Sequence, residues 1–185
     1  MTNTQAFLIQ SQTVGLRKFT NADELEFIAL NQRSHATHRP WVNPPLTATE
    51  FAQYLARDQP DAFEGFALCR IDSTKIIGAL NLSQISRGFF QSAYLGFQLG
   101  SEFEGQGYMT GGLRLLLQYA FVSLELHRLE ANIQPSNARS VALVKRCGFI
   151  REGYSPKYLK INDEWQDHER WAIHRELWRP QAAGR

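Results

Sequence analysis

The sequence predicts an α/β domain, on three observations. Residues 94–99 alternate apolar with small or polar side chains, the two-residue period of a strand. A glycine turn, Gly105-Gln106-Gly107, follows closely, and Leu113, Leu116, Leu117, Ala120 and Leu124 then recur as one face of a helix. The same order returns further on: strand-like residues 128–134, a stop at Pro135, and a helix ending near Arg146. A strand, a glycine turn and a helix start bring free backbone N–H groups to the positive end of a helix dipole, which suits a phosphate group. It is also the shape of an ordinary strand-to-helix connection, and a lone Gly-x-Gly does not separate the two.

Taken in order, residues 1–13 read as a loose tail or an addition to a sheet edge, and residues 14–19 as a short first strand. Thr20 caps a helix over 23–31, with Asp23 and Glu24 near its positive end and Leu25, Ile28 and Ala29 as its apolar face. Residues 32–46 carry Pro40, Pro44 and Pro45 and read as a loop. Thr47 or Thr49 opens a second helix to about Arg57, turning Phe51, Tyr54 and Leu55 inward. Strands over 63–71, 75–84 and 90–99 follow, parted by turns at 72–74 and at Arg87-Gly88. Ser136 or Asn137 caps the helix to Arg146, and Gly148 takes the left-handed position beyond its end. Residues 149–154 and 158–161 are strand material, and Asn162-Asp163 is a hairpin turn into a last strand over 165–177. No repeat, low-complexity run or linker interrupts the chain, so residues 1–185 read as one domain.

With 185 residues the chain has room for one core, and its apolar share of 43% is that of a soluble globular protein. A formal charge of +2 without a dense Lys/Arg run argues against a nucleic-acid partner. No stretch approaches the ~18 uncharged apolar residues of a membrane span. The first twelve residues are polar rather than signal-like, and Cys69 and Cys147 make no disulfide framework. These features point to a cytoplasmic protein without a membrane association, either a monomer or a homodimer. His127, His168 and His174 fall at strand-like positions with no ligand partner at zinc spacing, so no metal is expected. Cys147, just before a helix-ending glycine, reads as a packed small residue rather than a nucleophile.

The segment 127–149, HRLEANIQPSNARSVALVKRCGF, carries more. With the glycine turn it resembles the GNAT acetyltransferases, whose fingerprint is a Q/R-x-x-G-x-G/A turn, a strand, an N-x-x-S helix start and a closing Gly-Phe. Here the helix start is Asn137 to Ser140 and the close is Gly148-Phe149. Ile76-Ile77-Gly78, Arg87-Gly88, Tyr94-Leu95-Gly96, Glu152-Gly153-Tyr154 and Trp165-Gln166-Asp167-His168 are similar to the RimJ/RimL branch, which acetylates protein N-termini. The resemblance covers roughly residues 14–178. It implies a mixed, mostly antiparallel twisted sheet of about six or seven strands with helices on both faces, the central strands splayed to hold acetyl-CoA.

In such a fold the cofactor pyrophosphate rests on turn N–H groups, here those of Gly105, Gln106, Gly107, Tyr108, Met109 and Thr110. The edge of Phe97, Gln98 and Leu99 would pair with the pantetheine arm as an added strand. Two positions depart from the fingerprint. Glu104 stands where Gln or Arg is usual and is expected to point to solvent, and Met109 replaces a small residue. Gly111-Gly112 costs about 1 kcal/mol per glycine inside a helix relative to alanine, for no reason visible in the sequence.

Acetyl transfer to an amine needs a neutral amine, a stabilised oxyanion and a proton for the leaving thiolate. Strand alternation sets Glu130, Asn132 and Gln134 on one face and Leu129, Ala131 and Ile133 on the core face. Glu130 is therefore a candidate base, or else a solvated or ion-paired strand residue. Relatives with a glutamate base carry it at the place of Asn132, which is assigned here to the acceptor site. Val144 occupies the place of the tyrosine acid of many members, leaving Ser140 as the candidate donor to the thiolate. Asn137 would hold pantetheine or cap its helix, and a backbone N–H near Gln98 would polarise the thioester carbonyl. His35, His38, Arg39 and Trp41 lie in the loop where the family builds its acceptor wall. His35 and Trp41 are the candidates for acceptor contact, with a packing role as the alternative for Trp41. The resemblance implies a protein N-terminus as acceptor, possible rivals being a small amine or antibiotic, or an acetyl-CoA sensor without turnover. An α-amine, with an ordinary pKa of about 7.7–8.0, needs less help to deprotonate than a lysine near 10.4.

Overall fold

In the computed structural model, which describes residues 6–179, these segments pair into one sheet. Its strands are β1 (Ile9–Gln10), β2 (Val14–Lys18), β3 (Phe63–Arg70), β4 (Ile76–Ser86), β5 (Ser92–Leu99), β6 (Arg128–Ile133), β7 (Ile150–Ile161) and β8 (Glu164–His174). The helices are α1 (Glu24–Arg33), α2 (His35–His38), α3 (Ala48–Ala56), α4 (Tyr108–Gln118) and α5 (Ala138–Arg146). The strand order is β1-β2-β3-β4-β5-β6-β8-β7, and every neighbouring pair is antiparallel except β5 with β6.

Eight strands among the described residues exceed the expected six or seven, because residues 9 and 10 pair with Leu16 and Gly15 at the sheet edge. Residues 1–5 of the expected tail lie outside the described residues. The two strand pieces around Pro156 are one strand, β7, whose register with β8 shifts between Ser155 and Leu159. Asn162 and Asp163 both have positive φ (51° and 65°), as a tight hairpin turn matching the strand twist requires. Residues 35–38, expected as loop, form the short α2; the prolines begin only after it.

α1 is rotated from the expected face: Leu25 is 81% exposed, while Phe27 and Leu30 are buried. The cause is Asp23. Its carboxylate takes two hydrogen bonds from the Arg17 guanidinium, at 2.7 and 2.8 Å, and one from the Thr20 N–H at 2.8 Å. With Asp23 pinned inward, the residues one and two turns on, Phe27, Leu30 and Asn31, must follow. α3 starts at Thr47, whose hydroxyl accepts from Glu50 N–H in a capping box.

α4 covers the inner strands, and its glycine pair now has a reason. A Cβ on Gly112 would stand 2.7 Å from Leu68 Cδ1 and 3.3 Å from Leu80 Cδ1; one on Gly111 would stand 3.0 Å from Val14 Cγ2. Without side chains at those positions the helix sits low on β2, β3 and β4. That placement sets the height of its N-terminus at the glycine turn.

Candidate active site

β5 and β6 pair over only three positions, Ser92, Ala93 and Tyr94 with Arg128, Leu129 and Glu130. Beyond them β6 stays paired with β8 as far as Ile133, and β5 stays paired with β4 as far as Leu99. The two strands therefore diverge into a V with free backbone edges inside. A cleft of roughly 2210 Å³ occupies it, running from the glycine turn, past the start of α5, to the α2 loop.

At the end expected to take the cofactor, Gly105 and Gly107 have φ of +74° and +81°, and a Cβ on either would meet no protein atom within 4 Å. Glycine is needed for the backbone conformation, and the space a side chain would fill is open. Gly107 is the N-cap of α4, so the N–H groups of the first helical residues have no partner within the helix. Gly105, Gly107, Met109 and Thr110 line the cleft; Gln106 instead donates to the Glu102 carbonyl, and the Tyr108 ring packs on Phe103. Glu104 does not simply face solvent: it lines the cleft and is ion-paired with Arg139 across the mouth. Arg114 and Arg146 also line this end, and Arg146 Nη1 donates to Thr110 Oγ1 at 3.3 Å. Neither Arg114 nor Arg146 belongs to the fingerprint, although Arg139 and Arg146, seven apart, mark one face of α5.

Phe97, Gln98 and Leu99 all line the cleft. The Leu99 carbonyl is already engaged, accepting a 2.7 Å hydrogen bond from His38 Nε2, and the Gln98 side chain donates to Asn31 Oδ1 at 2.8 Å. Asn137 caps α5 through its Oδ1, which accepts from Ser140 N–H at 3.1 Å. Ser140 lines the cleft from the first turn of α5. Cys147 is buried, and burial raises its thiol pKa, which keeps it protonated and inert.

On the side expected to take the acceptor, Asn132 and Trp41 line the cleft and His35 does not; it is exposed, and the α2 histidine that reaches the cleft is His38. Glu130 is likewise absent from the lining. Its carboxylate accepts from Arg128 Nη2 at 2.9 Å, in a cluster with Glu152, so the ion-paired alternative describes it. His168, the last residue of the Trp165-Gln166-Asp167-His168 stretch, is buried and lines the cleft. The other two histidines are brought together outside it. His127 Nε2 and His174 Nδ1 lie 3.1 and 2.9 Å from the exposed Glu176 carboxylate, a three-donor grouping the spacing did not reveal. No helix among the described residues is long and apolar enough to cross a membrane.

A splayed parallel pair, a glycine turn capping a helix and an N-cap asparagine on the facing helix define an acyl-CoA-binding architecture. Residues 13–150 match the family model described as acetyltransferase (GNAT) domain, and the chain belongs to that family. It is similar to the probable N-acetyltransferase YjcK of Bacillus subtilis, with 38% identity over 68% of this chain and 67% of that protein. It is equally similar, at 38%, to the ribosomal protein uS5-alanine N-acetyltransferase of Escherichia coli, over 62% of this chain. That match spans 59% of the relative's length, less than two thirds of it. Among solved structures, Mycobacterium smegmatis RimJ in complex with CoA-disulfide superposes with a TM-score of 0.84 at 26% identity, covering 92% of this chain and 85% of that one.

Proposed function

We propose that this protein transfers the acetyl group of acetyl-CoA to a protein N-terminal α-amino group, in the cytoplasm and by direct attack in a ternary complex. The observation that carries the reading is the single wide cleft, which joins the glycine turn to the α2 loop. At roughly 2210 Å³ it exceeds the ~300–1,000 Å³ of ordinary small-molecule pockets, leaving room for an acceptor chain beside the cofactor. The likeness to an enzyme named for a ribosomal protein N-terminus supports the same acceptor.

The residues present fit acetyl-CoA. Residues 105–110 offer N–H groups and a helix dipole to the pyrophosphate, and Arg114 and Arg146 add positive charge beside them. The free edge of β5 at residues 96–98 offers backbone groups to the amide-rich arm. Acetyl-CoA supplies an acetyl group activated as a thioester. Ser140, on the first turn of α5, donates its hydroxyl hydrogen bond toward the departing sulfur. Trp41 and Asn132 orient the acceptor amine from the opposite wall.

The test is to follow free thiol release from acetyl-CoA with a panel of peptide N-termini, polyamines, amino acids and aminoglycosides. The reading expects turnover with free peptide N-termini that varies with their first residues. Turnover confined to small amines would replace the acceptor, and calorimetric binding without turnover on any amine would leave a sensor.

A further inference from the structure

We propose that the base preparing the acceptor amine is His168, acting through Nε2; the inference rests on the acetyl-transfer reading above and names a group it lacks. His168 is 3% exposed yet lines the cleft. Its Nδ1 lies 2.9 Å from the Gln166 carbonyl. A carbonyl only accepts, so Nδ1 carries the hydrogen, and the neutral ring keeps its lone pair on Nε2. With one ring nitrogen turned back onto its own strand, Nε2 is the polar edge left for the cleft.

Its place in the sheet is the acceptor face. Cross-strand partners share a face. Asn132 pairs with Arg170, so His168, two residues before Arg170 on β8, is the diagonal neighbour of Asn132 on the same face. As a diagonal neighbour, His168 has its backbone about 7–8 Å from that of Asn132, a gap that an amine between the two side chains spans. The acceptor loop closes over this corner: Gln134 Nε2 donates to the Pro40 carbonyl at 3.0 Å, and Asn162 Nδ2 to the Arg39 carbonyl at 2.6 Å.

Rival bases nearby are already engaged. Asp167 accepts from the Tyr154 hydroxyl and the Lys157 N–H, Glu169 accepts from Trp171 Nε1, and Glu130 accepts from Arg128. His38 is held by its Nε2 hydrogen bond to the Leu99 carbonyl, and its Nδ1 is buried without a hydrogen-bond partner.

The step balances. The acceptor ammonium gives one proton to Nε2, and the freed lone pair attacks the thioester carbonyl carbon. The N–C bond forms and the C–S bond breaks. The second amine proton reaches the departing sulfur through the Ser140 hydroxyl, which ends unchanged. The imidazolium, now donating from both nitrogens, returns its proton to water.

The test uses the full chain with His168→Asn, which keeps an N–H donor for Gln166 and deletes Nε2, and with His168→Ala. Both are expected to bind acetyl-CoA with wild-type affinity in calorimetry and to lose ~10²–10⁴-fold in kcat on an N-terminal peptide. Imidazole added to the buffer restores turnover to His168→Ala. Independently of turnover, ¹⁵N-histidine spectra of the free protein should show His168 as the Nδ1–H tautomer. A His168→Asn enzyme with wild-type kcat, or an Nε2–H tautomer in the spectra, overturns the inference alone. A wild-type protein that acetylates no amine overturns the functional reading and this inference with it.

Discussion

Replacing Gly107 with valine separates two roles of the glycine turn. The residue has φ of +81° at the N-cap of α4, where an L-side chain costs ~1–2 kcal/mol. Beyond its chain neighbours and its own helix, no protein atom lies within 4 Å of the new Cβ, so the cost counted is backbone strain. For a chain of this size the melting temperature should fall by about 2–8 °C, at ~2–4 °C per kcal/mol. The effect on the cofactor is of a different kind, because the side chain enters the space left open above the turn. Losing one charge-assisted hydrogen bond to a phosphate, at ~1.5–3 kcal/mol, weakens acetyl-CoA binding by about 10–150-fold. Calorimetric titration well below the variant's melting temperature reads the second effect free of the first. A variant that loses stability as expected but binds acetyl-CoA with wild-type affinity would refute the assignment of the pyrophosphate to this turn.

Other outcomes follow from the packing and the cleft. Gly112→Ala gains about 1 kcal/mol of helix propensity but drives its Cβ against Leu68, at an overpacking cost of ~1–3 kcal/mol. Urea unfolding should show no gain or a net loss; a stabilised variant would contradict the packing argument. Asp23→Asn removes the carboxylate charge that accepts two hydrogen bonds from the buried Arg17 guanidinium and should cost ~3–5 kcal/mol by urea unfolding. Burial alone would raise the Asp23 pKa, but the Arg17 and Thr20 hydrogen bonds outweigh it and the net shift is downward from 3.8. The stability it contributes is therefore complete above the unfolded value and lost as pH falls through the lower folded one. The wild type should accordingly lose stability below about pH 4 more steeply than Asp23→Asn, a difference read from urea midpoints across acidic buffers. Ser140→Ala should lower kcat by ~10²–10⁴-fold with acetyl-CoA affinity little changed, and an acetyl thioester with a better leaving thiol should restore it; wild-type kcat would remove Ser140 from the chemistry.

Where period and punctuation agree, the sequence is explicit. The strand–turn–helix of residues 94–118, the N-x-x-S start of α5 and the glycines at 105, 107 and 148 were all legible, because each rests on local backbone geometry. What was not legible depends on partners distant in the chain. Leu25 looks as apolar as Phe27, and only the Arg17–Asp23 pair decides which faces inward. Glu130 has the right strand parity for a base, but its neighbours Arg128 and Glu152 draw it into an ion pair. Gly111 and Gly112 look like helix defects until Val14 and Leu68 are placed beneath them. His168 stands in the Trp165-Gln166-Asp167-His168 stretch, but the stretch does not say what the ring faces; that is set by β8 lying beside β6 and by the carbonyl of Gln166 two residues away. Glu104 reads as a poor phosphate neighbour until Arg139 arrives from α5.

The central claim is that the acceptor is an N-terminal amine, and one measurement addresses it directly. A peptide carrying both a free N-terminus and an internal lysine is incubated with the protein and acetyl-CoA, and the acetylated position is read by tandem mass spectrometry. The account predicts the acetyl group on the α-amine, with no product when that amine is blocked beforehand. Acetyl groups on the lysine of the blocked peptide, at a rate matching the free one, would contradict it.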